Sequence, residues 1–259
     1  MALQGRLRIA ALCRPCRHLA LATHEEGVMT GLPVPPAGTK LDLRTKAKVR
    51  IRKTMTPGEV AGALQKTSPL LCSDKGPLSL ETMDDASLSS ATNGLALFNR
   101  RQTKRSALLR AAFVPVVRIF RYQEPGKAAV HLRRSMLLQL HAVDAAAVQQ
   151  ATSQISADLD VVSVRGETDL RRLSGLLESR FLYYAAGIGD IVVVRCMGQR
   201  AIDKTVKALA AAWQRCARGH EGDLSQAGFR CYVEHQQMPG VSSMKLYSGL
   251  ECVLLASDG

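Results

Sequence analysis

The residues best suited to chemistry in this sequence are a glycine and three nearby cations: Gly198, Arg200, Lys204 and Lys207. They follow the apolar run DIVVVRC (190–196) and stand among apolar residues at helical spacing. This pattern predicts a buried strand, a turn at Gly198 and a helix with Arg200 at its start. A helix N-terminus attracts anions, and an arginine can grip a phosphate with two hydrogen bonds. The residues therefore indicate a phosphate site; the alternative is a helix whose exposed face is simply basic.

A second group of cations lies in the first half of the chain, mostly on segments that alternate basic and apolar residues. Such alternation predicts strands, two of which form a hairpin around the Glu-Pro-Gly of 124–126. We expect these cations to contact phosphates through the strands and the hairpin: Arg50, Arg52, Lys53, Arg118, Arg121, Lys127, Arg133 and Arg134. Another cluster is either a phosphate contact or a solvated surface: Arg100, Arg101, Lys104 and Arg105.

The net charge of +13 suggests an anionic partner, but the charge is unevenly placed. Residues 40–143 carry 19 basic and 7 acidic side chains, whereas residues 144–259 carry 12 basic and 13 acidic ones. Hydrophobic residues make up 46% and charged residues 22%, which excludes wholesale disorder. No window approaches the run of about twenty apolar residues that a membrane-spanning helix needs.

Known patterns of catalytic, metal and nucleotide sites are missing from the sequence. The six histidines have no metalloprotease-like or triad-like context, and no Walker loop occurs. Cys13 and Cys16 form one C-x-x-C pair without a second pair at a finger-like spacing. The other five cysteines are scattered among apolar residues. We therefore expect a non-catalytic protein with no metal, no cofactor and buried thiols.

The first 23 residues contain four arginines and no carboxylate, with apolar residues between the arginines. This composition is typical of a mitochondrial transit peptide, and the alternative is an ordinary basic tail. The Pro- and Gly-rich segment at 31–40 predicts an extended linker. We expect the protein to reside in the mitochondrial matrix.

The elements that must position these residues follow the same order, β-α-β-α-β-β, in both halves. In the first half the pattern predicts strands at 48–53, 78–83, 111–122 and 128–140, with helices starting at Thr56-Pro57 and at 87. In the second half it predicts strands at 160–165, 190–196, 229–235 and 249–256, with helices at 170–185, capped by Thr168, and at 200–217. The predicted divisions are a transit peptide (1–23), a linker (24–45), a first domain (46–143), a tether or short helix (144–158) and a second domain (159–257).

Two segments resemble members of the Alba superfamily. RCMGQRAIDKTV (195–206) looks like the superfamily signature, in which a central strand ends in a basic Gly-Arg-Ala-Ile stretch before a helix with a lysine. MTPGEVAGAL (55–64) is similar to the start of the first helix in bacterial stage V sporulation protein S, a member of the superfamily. The resemblance implies two tandem Alba-like α/β domains, each a four-stranded mixed sheet with two helices, packed as a pseudo-dimer.

The resemblance also implies nucleic-acid binding through the loop before the second helix and through a β-hairpin arm. It nominates Gly198, Arg200 and Lys204, and more loosely the hairpin loop at 238–245. The first half has Asp84 and Asp85 at the corresponding loop, where they would repel phosphate.

We therefore expect a non-catalytic mitochondrial RNA-binding protein that works in a ribosome or in RNA processing or stabilisation. DNA is the nearest variant ligand, and proteins of a mitochondrial ribonucleoprotein complex are the expected partners. The alternative is a protein–protein scaffold subunit of a large mitochondrial assembly with a degenerate Alba fold.

Overall fold

The computed structural model describes residues 48–72, 77–123, 130–155, 159–218, 229–235 and 249–256. The predicted leader, linker and 238–245 loop lie outside these residues. In chain order the elements are β1 (Lys48–Arg50), α1 (Pro57–Thr67), a short 3-10 helix (Ser68–Cys72), β2 (Leu78–Thr82), α2 (Asp85–Lys104), β3 (Leu109–Gln123), β4 (Val130–Asp144), α3 (Ala145–Ser153), β5 (Val162–Val164), α4 (Leu170–Ala185), β6 (Val193–Met197), α5 (Gln199–Arg218), β7 (Phe229–His235) and β8 (Gly249–Ala256).

The order of the α-helices and strands is β-α-β-α-β-β both before and after α3, as the sequence pattern predicts. The predicted bounds of α4, β7 and β8 are confirmed. α2 begins two residues earlier than predicted, at Asp85, because Asp84 caps it. The segment predicted as a tether or a short helix contains α3, which begins directly after β4.

Most of the helices begin where a short polar side chain accepts a hydrogen bond from an N–H group of the first turn. At α1, Thr56 and Glu59 form a capping box. At α4 the capping residue is Asp169, whose Oδ1 accepts a hydrogen bond from the Arg172 N–H at 2.7 Å. The prediction of Thr168 as the cap is therefore wrong. The Thr168 hydroxyl accepts a hydrogen bond from the Arg165 N–H at 2.9 Å and stabilises the preceding turn.

The eight strands of the described residues form one mixed sheet in the order β1-β2-β4-β3-β7-β8-β6-β5. The outermost pairs, β1–β2 and β5–β6, are parallel, and the other neighbours are antiparallel. β3 and β7 join the halves at two residue pairs, Ala112 with Tyr232 and Phe113 with Cys231. The described residues form one compact unit. The protein is therefore α/β, with one sheet shared by both halves.

Alternate side chains of the strands pack with α1, α2, α4 and α5 in the main hydrophobic core. Phe181 and Phe229 meet edge to face there, with ring centroids 4.8 Å apart. On the opposite face of the sheet a smaller cluster packs against Val148 and Ala151 of α3. The prediction of buried thiols is confirmed for Cys196, Cys216, Cys231 and Cys252. Within the described ranges, no helix is both long enough and apolar enough to cross a membrane.

The side-chain amide of Asn99, on α2, links the strands of the two halves. Its Nδ2 donates hydrogen bonds to the carbonyls of Ala111 at 2.9 Å and Val233 at 3.0 Å, and its Oδ1 accepts from the Ala111 N–H at 3.0 Å. Ala111 and Val233 lie one position beyond the two residue pairs of β3 with β7. Asn99 is fully buried, so its amide satisfies backbone groups at this junction that water does not reach.

Candidate nucleic-acid interface

The turn between β6 and α5 places Gly198 at the start of the helix. Gly198 has a positive φ of 85°, a conformation that a side chain would strain. Its carbonyl accepts the Ile202 N–H at 3.0 Å, so it occupies the position of the cap. Four other described helices have a capping side chain there: Thr56, Asp84, Asp144 and Asp169. Because glycine has no side chain, Gly198 supplies no side-chain acceptor for the N–H groups in the first turn of α5.

An open cavity of about 460 Å³ adjoins this turn. It is lined by residues 197–201 and by Gly166 and Asp85, which come from the β5–α4 loop and from α2. Arg200 is exposed, and its side chain lies against Gly166: a Cβ added to that glycine would lie 3.4 Å from the Arg200 Cβ. The structure thus brings Gly198 and Arg200 together at one cavity, with a carboxylate of the first half beside them.

Lys204 faces the β5–α4 loop. Its Nζ donates a hydrogen bond to the carbonyl of Thr168 at 2.7 Å, and the side chain is partly buried. This contact ties α5 to the loop that carries Gly166. In this geometry Lys204 holds the cavity wall in place, and Arg200 is the better placed of the two cations to meet a ligand.

Lys207 forms ion pairs with two carboxylates. Its Nζ lies 2.8 Å from Asp203 Oδ2 and 3.3 Å from Asp85 Oδ1. Burial alone would lower the pKa of Lys207, but the hydrogen bonds and charges of Asp203 and Asp85 raise it. Burial raises the pKa of Asp203, and the nearby Asp85 adds to that rise while Lys207 opposes it. This triad joins α5 to the first residue of α2, so the charge of Lys207 is largely compensated within the protein.

The first-half cations fall into two groups. Arg50 and Arg118 lie near Glu81 of β2, together with Lys48. Arg52 and Lys53 are exposed in the turn after β1, and Arg134 is exposed on β4. The backbone of Arg121 pairs with Leu132, and that of Arg133 with Phe120, in the β3–β4 ladder. Lys127 lies outside the described residues.

Aromatic side chains offer little surface for base stacking in the described part of the chain. Tyr232 is buried, and burial together with the nearby Glu234 raises its pKa. Tyr183, on α4, is 56% exposed. Contacts with nucleic acid would therefore be mainly to the phosphate backbone.

Three residues of these sites are not among those that the sequence pattern nominates: Gly166, Asp203 and Glu81. Asp203 and Glu81 are buried carboxylates, and the sequence signal for Glu81 is a charge inside a predicted strand. The described residues contain no group of three or more His, Cys, Asp or Glu side chains that could hold a metal ion.

Comparisons with protein-family models, with curated proteins and with solved structures find no match for this chain.

Proposed function

We propose that this protein binds RNA without catalysis, through a phosphate contact at the start of α5. The observation that carries the proposal is the exposed Arg200 at an open cavity, beside a helix N-terminus whose cap position is a glycine. A helix N-terminus and an arginine side chain that line the same cavity suit a phosphate group. Gly198 has no side chain to occupy the N–H groups of the first turn, so they can donate to such a ligand.

The proposal includes an Alba-like identity for both halves. Two features support it: the twofold occurrence of β-α-β-α-β-β and the strand order, which is equivalent when read from either edge of the sheet. We propose a mitochondrial ribonucleoprotein complex as the setting, on the basis of the acid-free basic leader. DNA is the alternative nucleic-acid ligand.

A protein–protein scaffold is the second candidate function. The ion pairs of Lys207 and the hydrogen bond of Lys204 commit two of the nominated cations to contacts within the protein. Asp85 adds a negative charge to the cavity wall. These features favour a protein that keeps the fold but no longer binds nucleic acid.

The experiment is a titration of fluorescent single-stranded RNA, duplex RNA and duplex DNA at several salt concentrations. Arg200→Ala is expected to raise the Kd for RNA about tenfold and to reduce the salt slope by about 0.7 for a single strand. The control is Lys66→Ala, which removes one positive charge from the exposed end of α1. Its effect on the Kd should stay within about twofold.

Three results would contradict all or part of the proposal. If the wild-type chain binds none of the probes at low salt, the scaffold function is favoured. If Arg200→Ala and Lys66→Ala weaken binding equally, the start of α5 is not the contact. Tighter binding of duplex DNA than of either RNA would replace RNA by DNA as the ligand.

A further inference from the structure

Glu81 is a buried carboxylate on the sheet face that α1 and α2 do not cover. Its neighbours in β2, Leu78 and Leu80, belong to the main core, so the alternation of the strand directs Glu81 to the opposite face. The Glu81 side chain is only 3% exposed. A carboxylate at such a position needs charged or hydrogen-bonding partners.

Three strands supply those partners. Glu81 Oε1 lies 2.6 Å from Lys48 Nζ and 3.7 Å from an Arg118 guanidinium nitrogen, and it accepts a hydrogen bond from the Ser135 hydroxyl at 3.4 Å. Glu81 Oε2 accepts a hydrogen bond from Arg50 Nε at 3.3 Å. Burial raises the pKa of Glu81, but the hydrogen bonds and charges of Lys48 and Arg50 outweigh it and hold that pKa below its ordinary value. Glu81 is therefore ionised at neutral pH.

The cluster of Glu81, Lys48, Arg50 and Arg118 carries a surplus of positive charge, since one carboxylate faces three cations. The side chains of Arg50 and Arg118 are 72% and 46% exposed. Arg50 contacts Glu81 through Nε, the inner nitrogen of its guanidinium, so its outer nitrogens can still donate to a ligand. Glu81 thus lies beneath cations whose outer parts face solvent.

The second half has no such surplus at the matching position. The matching position is Arg195: Glu81 lies four residues before the first residue of α2, and Arg195 lies four residues before the first residue of α5. Arg195 Nε donates a hydrogen bond to Glu251 Oε2 at 2.6 Å, and Glu234, which pairs with Glu251 across the strands, brings a second carboxylate close to it. The surplus is a feature of the first half, where the net charge of the sequence is concentrated.

We propose that the Glu81 cluster is a second phosphate-binding site and that Glu81 is its positioning residue. The inference rests on the proposed function, because the phosphate belongs to the RNA backbone. Without the carboxylate the three cations repel one another and separate. With it they are assembled before the ligand arrives, which lowers the entropy cost of binding.

The test is Glu81→Gln, for which two explanations predict opposite changes in the Kd for RNA. If only net charge matters, removal of a negative charge tightens binding to a polyanion. If Glu81 positions the cations, the Kd for a 20-nucleotide single-stranded RNA rises about fivefold. The matched control is Glu251→Gln, which removes the carboxylate partner of Arg195 and should leave the Kd unchanged or lower it.

A coupling measurement separates positioning from general loss of structure. Arg118→Gln should weaken RNA binding about fivefold in the wild-type background and less than about twofold in Glu81→Gln. Arg200→Ala should have its full effect in both backgrounds, because no residue of the Glu81 cluster lines the cavity at Arg200. Arg118 is partly exposed, so this variant tests the site even if Glu81→Gln does not fold.

Equal or tighter RNA binding by a folded Glu81→Gln would overturn the inference and leave the proposed function standing, as would an Arg118→Gln variant of unchanged affinity. If the wild-type chain does not bind RNA at all, the proposed function itself is rejected.

Discussion

His141, on β4, is a partly buried base that the sequence does not distinguish from a surface histidine. It lies opposite Ala112 and on the same face as Val143, which packs in the cluster beneath α3. Burial, with a smaller contribution from the positive charge of Arg230, lowers the pKa of His141 to about 4. The imidazole is therefore neutral at physiological pH.

Since the folded-state pKa lies below the unfolded value near 6.5, the stabilising effect is fully present above that value and is lost as pH falls. Between pH 7.5 and 4.5 the free energy of unfolding should fall by about 2–3 kcal/mol through this residue. Urea unfolding at the two pH values measures it. His141→Gln should reduce the loss, leaving the part due to His235, whose pKa burial also lowers. An undiminished loss in His141→Gln would contradict the prediction.

At the scale of single residues, the site was predictable only where its partners are close in sequence. Gly198 and Arg200 follow from the strand–turn–helix pattern. Thr168, the partner of Lys204, lies 36 positions away, and Asp85, one of the two partners of Lys207, lies 122 positions away, so the sequence pattern could not show these contacts. The other partner of Lys207, Asp203, lies four positions before it on the same helix and was within reach of the pattern. Glu81 gathers cations from β1 and β3, which only the strand order brings together.

α1 and α2 approach each other closely at Gly94. A Cβ added to Gly94 would lie 2.5 Å from the Val60 Cβ, a distance at which the helices must move apart. Gly94→Ala is therefore expected to lower the free energy of unfolding by about 1–3 kcal/mol, despite the higher helix propensity of alanine.

The control for Gly94→Ala is Gly62→Ala on α1, where an added Cβ meets nothing within 4 Å. That variant should stabilise the protein by about 0.5–1 kcal/mol. Chemical denaturation of both variants measures the contrast. Equal effects of the two substitutions would show that the helices are not in close contact at Gly94.

The helices and strands themselves were largely predictable, because their periodicity and caps are local. Even so, Thr168 and Asp169 are adjacent and both suit an N-cap, and only the geometry of the turn decides between them. β3 and β4 extend beyond their predicted bounds at Leu109 and Asp144, because pairing in the ladder continues through residues with no apolar alternation.

The two halves are expected to unfold together, since they share one sheet and one main core. Asn99→Leu removes three hydrogen bonds at the junction of β3 and β7 and leaves backbone groups buried without partners. We expect it to lower the free energy of unfolding by about 3 kcal/mol.

The measurement is urea unfolding followed by circular dichroism and by the fluorescence of Trp213, the single tryptophan of the chain, on α5. Asn93→Leu is the matched control, because the Asn93 amide bonds only to Ser89 of its own helix among the described contacts. The wild-type curves from the two probes should coincide. Separate transitions would mean that the halves are independent, and equal losses in the two variants would remove the special role of Asn99.

At the scale of the whole molecule, the repeated order of elements was predictable and the joining of the halves was not. The joint depends on two residue pairs of β3 with β7 and on an asparagine of α2. Trp213 occupies the position of α5 that matches Asn99 in α2. Comparison of the two halves therefore does not reveal that Asn99 joins their strands.

The strand order also determines how the sheet is protected from intermolecular growth. With β3 and β7 paired in the centre, the edges of the sheet in the described residues are β1 and β5, each of three residues. A short edge exposes few unpaired backbone groups to which a strand of another chain could add. β1 also carries Lys48 and Arg50, and like charges on two such edges repel. The arrangement that joins the halves thus guards the protein against aggregation through its own sheet.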